Sequence, residues 1–324
     1  MLLIILPIML KQLNTWVWTR ITNTWQVCFG LFKVMIPALI VVKILEITGI
    51  FGPIARAFGP VMELANLPGE AGLAWVTGML SNMYGGLVVS AGMVESLGLN
   101  TAQITTLGCM LLISHSLPVE ITVAAKAGVK PWFLIPFRLI TGLVFGIILG
   151  QFFKLTGLLQ TTPVVLWSSP EQGAGLLSWG IGTGRSLLTV FVVVLIILAI
   201  MDILARIGVM QLLKKNLRPI FQPMGIGDEA SSITVIGLIL GLSYGGGIII
   251  QEARKGSIPK RQVLSAVSFM SICHAVIEDT LLVGSLGVSA IAALPGRLVY
   301  SWIVMFLILM VLRRLPERII NRLA

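Results

Sequence analysis

The sequence predicts an all-α polytopic membrane protein with a 3+3 inverted structural repeat, re-entrant hairpins and broken helices. Three observations support this fold class: an apolar composition, an internal repeat and an uneven distribution of basic residues. Of the 324 residues, 56% are hydrophobic and only 11% are charged, whereas soluble domains carry about 25% charged residues. Because a membrane span needs about 20 mostly apolar residues, the chain has room for roughly six to ten spans.

The basic residues indicate membrane topology rather than binding to nucleic acid. The net charge is +10, but Lys and Arg occur mostly in short clusters between apolar runs, as expected of loops at a membrane surface. Cys28, Cys109 and Cys273 lie inside apolar segments, and their spacing matches neither a metal motif nor an obvious disulfide. We therefore expect small buried cysteines.

An internal repeat relates residues that are 159 positions apart. The only two histidines of the chain, His115 and His274, coincide under this offset, which makes a chance match of small and polar residues a poor explanation. The other landmarks that coincide are Gly49 with Gly208, Pro60 with Pro219, Glu70 with Glu229, Gly78 with Gly237, Gly86 with Gly245, Glu120 with Asp279, Gly128 with Gly287, and Arg138 with Arg297.

The repeat divides the chain into five segments. Residues 1–24 mix apolar, aromatic and basic side chains, which is typical of an interfacial segment. The two membrane repeats are residues 25–155 and 183–312, and residues 156–182, rich in Gly, Pro, Ser and Thr, link them. A basic cytoplasmic tail, residues 313–324, ends the chain.

Both repeats contain the same elements in the same order. An apolar helix and an amphipathic connector come first, followed by a glycine-broken apolar stretch, an apolar stretch interrupted by polar residues, and a closing apolar helix. The apolar elements cover about 27–50, 70–94, 101–128 and 131–154 in the first copy, and about 186–205, 229–252, 262–287 and 296–312 in the second.

The charge distribution decides whether the glycine-broken stretches cross the membrane or return as hairpins. Of the 23 basic residues, three lie within predicted spans and are not counted. If the stretches return, 16 of the other 20 lie on one side and four on the other; if they cross, the division is 12 to eight. The positive-inside rule favours the hairpins. Each repeat then has three crossings, the second repeat is inverted, and both termini are cytoplasmic. Inverted repeats with broken helices are typical of secondary transporters, whose site lies near the midplane.

Polar residues interrupt the third apolar stretch of each repeat. In the first copy, Pro118 removes a backbone donor, so the helix should open near Ser114–Leu117. The equivalent stretch of the second copy, Cys273–Thr280, has no proline but carries two adjacent carboxylates. Ionisable groups at membrane depth are costly and mark functional sites. We predict substrate or ion binding by Ser114, His115, Ser116, Glu120, His274, Glu278, Asp279 and Thr280.

Other interpretations of these polar residues stay open. The His–acid pairs could only hold the bundle together. They could instead exchange protons during a transport cycle, or hold a metal ion through His115, His274 and Glu278.

The hairpins contribute a second set of candidates. Their glycines permit a tight reversal and close backbone approach, although they could equally serve tight helix packing. The candidates at the tips are Asn82, Tyr84, Gly85, Gly86, Ser243, Tyr244, Gly245 and Gly246.

Four charged residues are possible partners of the site. Glu70 and Glu229 open the hairpins and are predicted to cap helix N-termini. Arg138 and Arg297 each follow a histidine by 23 residues. They could neutralise a substrate carboxylate, pair with Glu120 and Asp279, or extend to the headgroups.

These motifs resemble the nucleoside-recognition, or Gate, family of membrane proteins. The resemblance rests on Cys-His-Ala-Val-Ile-Glu-Asp-Thr at 273–280, Ser-His-Ser-Leu-Pro at 114–118 and the two Tyr-Gly-Gly strings, and it spans about residues 30–312. The family includes the spore maturation A and B proteins, and Gate segments also occur in ferrous iron transporters. The resemblance implies a bacterial inner-membrane permease with two gating hairpins, remotely similar to concentrative nucleoside transporters.

The sequence thus favours a secondary transporter, not an enzyme, for a small polar solute such as a nucleoside, nucleobase or organic anion. Coupling to H⁺ or Na⁺ is expected, without a bound cofactor. The expected partners are the solute and the lipid bilayer, with no nucleic acid, and small-residue faces make a homo-oligomer plausible. The alternatives are a divalent metal-ion permease and a non-transporting membrane partner protein.

Overall fold

A computed structural model describes residues 2–166, 175–221, 223, 226–256, 258–314 and 316–323, and these residues form helices and connections without a strand. The helices of the first half are α1 (Leu2–Ile47), α2 (Phe51–Leu64), α3 (Ala71–Leu80), α4 (Met83–Leu97), α5 (Thr101–Ser114), α6 (Leu117–Lys126) and α7 (Pro131–Thr156). Those of the second half are α8 (Leu176–Arg206), α9 (Val209–Phe221), α10 (Asp228–Leu240), α11 (Leu242–Lys255), α12 (Lys260–Ile272), α13 (Val276–Gly284), α14 (Arg297–Leu312) and α15 (Glu317–Leu323).

Six helical segments of the described residues are long and apolar enough to cross a membrane. They are Ile21–Leu45, Thr101–Lys126, Pro131–Thr156, Leu176–Arg206, Lys260–Gly284 and Ala292–Leu312. The second and the fifth are broken spans, because α5 and α6 make up one of them and α12 and α13 the other. The last begins with a π-helical turn, Ala292–Gly296, that leads into α14.

The two broken spans form the centre of the bundle. In the most apolar 18-residue stretch of each broken span, 72% and 83% of the residues are buried. The corresponding values are 17% for α8 and 28% for the segment that ends with α14. A helix that is buried all round belongs to a core, whereas α8 and α14 expose apolar side chains such as Leu188, Ile196 and Val299. The peripheral helices therefore present the apolar surface that lipid would contact.

Two of the predicted segments contain helix in the structure. Helix α8 begins at Leu176, so the last part of the predicted linker, residues 156–182, is helical, because the apolar pattern of α8 continues backwards through these residues. Residues 2–24 are the first part of the continuous helix α1 rather than a separate element. Their interfacial position stays a prediction.

The glycine-broken stretch of the first half is a pair of short helices, α3 and α4, that pack against each other. A Cβ atom on Gly86 would lie 3.0 Å from the Cα atom of Gly78, so the two helices touch at glycines. Both ends of the pair lie beside the first turn of α5. Gln103 donates a hydrogen bond to the carbonyl of Asn66 before the pair, and Asn100 after the pair forms a capping box with Gln103.

The second half repeats this arrangement. Before helices α10 and α11, the amide of Gly227 donates to the side chain of Gln262, which lies in the first turn of α12. After them, α11 ends at Lys255, Gly256 follows in a left-handed conformation, and α12 begins at Lys260. Each helix pair therefore begins and ends beside the first turn of the broken span that follows it.

The two broken spans run in opposite directions. The start of α5 lies beside the residues that follow α13, because the Ser289 amide donates to Thr105 Oγ1. At the other end, residues that end α6 and residues that begin α12, Lys126 and Lys260 among them, line one cavity of about 220 Å³. The start of α12 also contacts the end of α14 through a hydrogen bond from Arg261 to the Leu312 carbonyl.

We expect Gly→Ala substitutions to lower the stability of the protein where the glycine packs closely against a neighbouring segment, and not where it faces open space. Gly150→Ala in α7 would bring its Cβ into the backbone carbonyl of Ala65 after α2. We expect the free energy of unfolding to fall by about 1–3 kcal/mol, as for other overpacked interiors, measured as chemical unfolding in detergent.

The matched control is Gly184→Ala in α8, where a Cβ atom meets no neighbour within 4 Å. It should preserve or raise stability, because Ala in a helix interior is favoured over Gly by roughly 0.5–1 kcal/mol. Equal stability of the two variants would contradict the packing of α7 against the end of α2.

Candidate functional site

Both broken spans open at residues in left-handed backbone conformations. Between α5 and α6, Ser116 has φ of 52°, and between α12 and α13, Ala275 has φ of 44°. Such values are uncommon for residues with a Cβ atom and are found where structure around them enforces strain. The predicted opening near Ser114–Leu117 is confirmed, and Pro118 lies at the start of α6, where a missing amide hydrogen costs nothing.

The helix pairs are hydrogen-bonded to the breaks. The amide of Ser116 donates to the carbonyl of Gly78 in α3 at 2.9 Å, and the amide of Ala275 donates to that of Gly237 in α10 at 3.5 Å. In the first half, the indole of Trp75 also donates to Ser114 Oγ at 2.6 Å. The backbone groups freed by each break are therefore partly satisfied by the neighbouring helix pair.

A fully buried arginine holds each break together. Arg138 Nε donates to the carbonyl of Ile113 and its Nη2 to that of His115, both at 2.9 Å. These carbonyls lose their helical partners where α5 ends. The remaining nitrogen, Nη1, lies 2.6 Å from Oε2 of Glu120 in the first turn of α6. One guanidinium thus joins the two helix segments on either side of the break.

Arg297 makes the equivalent contacts in the second half. Its Nε donates to the carbonyl of Ile272 at 3.1 Å and its Nη2 to that of His274 at 3.0 Å. Its Nη1 lies 3.5 Å from Oδ2 of Asp279. Of the alternatives that the sequence left open for the arginines, pairing with Glu120 and Asp279 is therefore the one observed, and neither arginine extends to the surface.

The histidines have matching orientations. His115 Nδ1 lies 2.9 Å from the carbonyl oxygen of Leu111, and His274 Nδ1 lies 2.7 Å from that of Met270. Because a carbonyl oxygen only accepts hydrogen bonds, both Nδ1 atoms carry the proton. The Nε2 atoms of both rings are thereby directed into the space between the two halves.

One carboxylate oxygen contacts both histidines. Oε1 of Glu120 lies 3.3 Å from Nε2 of His115 and 3.2 Å from Nε2 of His274. The centroids of the two imidazole rings are 5.2 Å apart. We call the six buried residues that meet here the central cluster: His115, Glu120, Arg138, His274, Asp279 and Arg297.

Three further predicted residues lie near the central cluster. Glu278, in the first turn of α13, is half-buried and takes no part in the ion pairs described above. Thr280 is buried, and its Oγ1 has no hydrogen-bond partner among the described residues. Tyr84, at the start of α4, is buried within electrostatic range of Glu278 and Asp279.

The structure shows local contacts for some of the other residues predicted at the helix pairs, and their part in binding stays a prediction. Asn82 caps α4 by accepting a hydrogen bond from the Gly85 amide, and Gly86 allows α3 and α4 to approach. Glu70 occupies the N-cap position of α3, but its side chain forms no capping hydrogen bond. The side chains at Glu229, Ser243, Tyr244, Gly245 and Gly246 lie outside the described part of the structure.

The sequence missed two features of the site. The arginine–carbonyl contacts were not anticipated, although the equal spacing of 23 residues from each histidine was a signal. The tyrosine at position 300 was also missed: its hydroxyl donates to the carbonyl of Thr141 at 2.7 Å, and its ring stacks on Phe145 of the other half. Thr141 and Tyr300 are again 159 positions apart.

Comparisons with known proteins agree with the repeat. The profile of the family described as Gate, nucleoside recognition, matches residues 28–130 and 187–296, one match in each half. The chain is also 30% identical over 269 residues to YvoD, an uncharacterized membrane protein of Bacillus subtilis (strain 168). This alignment covers 82% of the chain and 84% of the relative. No solved structure matches.

Removal of one arginine should destabilise the protein strongly. In Arg138→Met, Glu120 loses its cation and two backbone carbonyls lose their donor. Breaking a buried pair from one side costs about 3–5 kcal/mol, and we expect a loss of this size in chemical unfolding. Adding Glu120→Gln should recover part of it, because no uncompensated carboxylate remains.

The control for this prediction is Arg206→Met. Arg206 is exposed and pairs with Asp202 within one helix, and such surface pairs contribute about 1 kcal/mol or less. If both arginine variants were equally stable, the structural role given to Arg138 would be refuted.

Proposed function

The chain belongs to the Gate, or nucleoside-recognition, family of membrane proteins, and we propose that it is a permease for a small polar solute. A nucleoside, a nucleobase or an organic anion is the class of solute that fits best. The observation that carries the proposal is the central cluster, where the broken spans of both halves bring charged and polar groups together in the interior of the bundle.

The energetic cost of such a cluster argues for a function. Each ionisable group costs several kcal/mol at membrane depth unless it is paired or hydrated, and an apolar interior of the same volume would be simpler to stabilise. His115 and His274 lie near the middle of their spans, Thr101–Lys126 and Lys260–Gly284. In transporters with discontinuous helices, substrates and ions bind at this depth.

The inverted repeat is part of this proposal. It is supported by opposite directions of the two broken spans, by contacts that recur at an offset of 159 residues, and by the unequal division of basic residues. In this topology each half crosses the membrane three times, and the pairs α3–α4 and α10–α11 enter from opposite sides and return. Both termini then lie in the cytoplasm, and the protein resides in a bacterial inner membrane.

The helix pairs would gate access to the central cluster. Because each pair is bonded to a break through the carbonyl of Gly78 or Gly237, movement of a pair changes the backbone that holds the histidines. Alternate opening of the two pairs would expose the cluster first to one side and then to the other. The proposed partners are the solute, the bilayer and a second copy of the chain. Neither a nucleic acid nor an organic cofactor is part of this proposal.

We propose that the protein transports its solute and does not act on it as an enzyme. Hydrolysis would need a nucleophile with a positioned base. Ser114 Oγ instead donates to the carbonyl of Met110 and accepts from Trp75, and His115 Nε2 is directed at Glu120. Coupling to H⁺ or Na⁺ is expected, and Glu278 is our candidate for the coupling carboxylate because it is partly accessible beside the cluster.

Solute binding should be visible as stabilisation of the purified protein. A ligand at 100 times its dissociation constant adds about 2.7 kcal/mol, so thermal unfolding in detergent should shift upward with one class among nucleosides, nucleobases and organic acids. Glu278→Gln should weaken or abolish this shift. The matched variant Glu252→Gln, at the exposed end of α11, should keep it. A panel without any stabilising compound would count against a solute permease.

The inverted topology predicts opposite labelling of two equivalent loops. Lys130 follows α6 and Ala290 follows α13, and both are exposed. Single cysteines at these positions, in a background without Cys28, Cys109 and Cys273, should react differently with a membrane-impermeant maleimide. Ala290→Cys should be labelled in intact cells and Lys130→Cys only after permeabilisation. Labelling of both from the same side would contradict the inverted repeat.

A further inference from the structure

The polar groups between the two halves have the composition and orientation of a metal site. We propose that His115, His274, Glu120 and Asp279 bind one divalent transition-metal ion, of the class that includes Zn²⁺, Fe²⁺ and Mn²⁺. This site goes beyond the proposed solute permease and does not depend on it. It also differs from the metal site that the sequence left open as an alternative, because Asp279 rather than Glu278 lies with the histidines.

The orientation of the histidines favours a cation between them. Since each Nδ1 donates to a backbone carbonyl, the lone pair of each neutral ring lies on Nε2. Both lone pairs face Oε1 of Glu120, which is itself an acceptor. Three acceptors at these distances repel one another unless a positive ion or a proton lies among them. Donation from the second ring nitrogen to a backbone carbonyl is also the usual arrangement of histidines that bind metals.

The distances fit coordination by nitrogen and oxygen. In a tetrahedral site with bonds of about 2.0–2.1 Å, neighbouring ligand atoms are about 3.3 Å apart. Nε2 of His115 and Nε2 of His274 are 3.3 Å and 3.2 Å from Oε1 of Glu120. The ligand atoms of the two histidines and Asp279 lie within 4.8 Å of one another. Small side-chain rotations would bring four ligands around one ion.

The two arginines make the site less suitable for hard cations than for transition-metal ions. Arg138 and Arg297 each approach one oxygen of a carboxylate, Oε2 of Glu120 or Oδ2 of Asp279. They orient these ligands and also neutralise much of their charge. Hard ions such as Mg²⁺ and Ca²⁺ depend on anionic oxygen ligands, whereas imidazole nitrogens suit Zn²⁺, Fe²⁺ and related ions. The site should therefore prefer transition metals.

The test uses Co²⁺ and Zn²⁺ with the full chain in detergent. Because the chain has only two histidines, purification must avoid a polyhistidine tag. After treatment with a chelator, Co²⁺ should bind in a 1:1 ratio and give the intense visible absorption of a tetrahedral site. Zn²⁺ should displace it, and Mg²⁺ should not. His115→Gln and His274→Gln should each raise the Kd by more than about 100-fold, since even outer-shell changes cost roughly 10–100-fold.

Asp202→Asn and Glu252→Gln are the matched controls, because they remove carboxylates of surface ion pairs far from the histidines in the sequence. They should bind Co²⁺ as the wild type does. X-ray absorption of the Zn²⁺-loaded wild-type protein does not depend on the folding of any variant. It should show two imidazoles and two oxygens at about 2.0 Å and no sulfur at about 2.3 Å.

Absence of 1:1 binding, a sulfur ligand, or unchanged binding in both histidine variants would overturn the site. The two proposals fail independently. If metal does not bind but an organic solute stabilises the protein, the metal site is wrong and the permease proposal stands. If metal binds as described and no organic solute does, the metal site stands and the solute permease is contradicted.

Discussion

The structure depends on one buried arginine at each broken span, which binds the helix segments on both sides of the break. A break in a buried helix frees carbonyl groups, and in a membrane interior they have no water to bond with. Arg138 and Arg297 supply two donors to the carbonyls at the break and a charge to the carboxylate of the following helix. This contact allows Glu120 and Asp279 to remain buried, and it positions the backbone from which both histidines project.

The contacts of Glu120 explain why both halves of the chain are needed for one site. Glu120 belongs to the first half, yet its Oε1 contacts histidines of both halves. Neither half alone would contain the central cluster. A family profile that matches each half separately fits a duplicated unit whose polar breaks meet at the interface between the copies. Because the helix pairs are bonded to these breaks, a displacement of either pair would also move the backbone at the cluster.

Much of the fold could be predicted from the sequence. Long apolar runs indicate the membrane spans, glycines indicate the breaks within the apolar stretches, and the 159-residue offset relates the two halves. Pro118 indicated the first break. The offset, together with the polar residues at 273–280, indicated the second, where no proline occurs. The partners of the arginines were less predictable, since they are backbone carbonyls that become available only once the break exists. Adjacent carboxylates were also ambiguous: Glu278 and Asp279 point in different directions from α13, and only the structure distinguishes Asp279 as the partner of Arg297.

The claim that the two broken spans meet at one cluster is tested most directly by cross-linking across it. His115→Cys and His274→Cys would be combined in a chain without native cysteines, with a protease site inserted between residues 167 and 174. Since the two imidazole rings are centred 5.2 Å apart, a short bifunctional thiol reagent should keep the two halves covalently joined after cleavage. Single-cysteine chains should separate. If the double variant also separated although both thiols react, the two breaks would not meet and the central cluster would not exist.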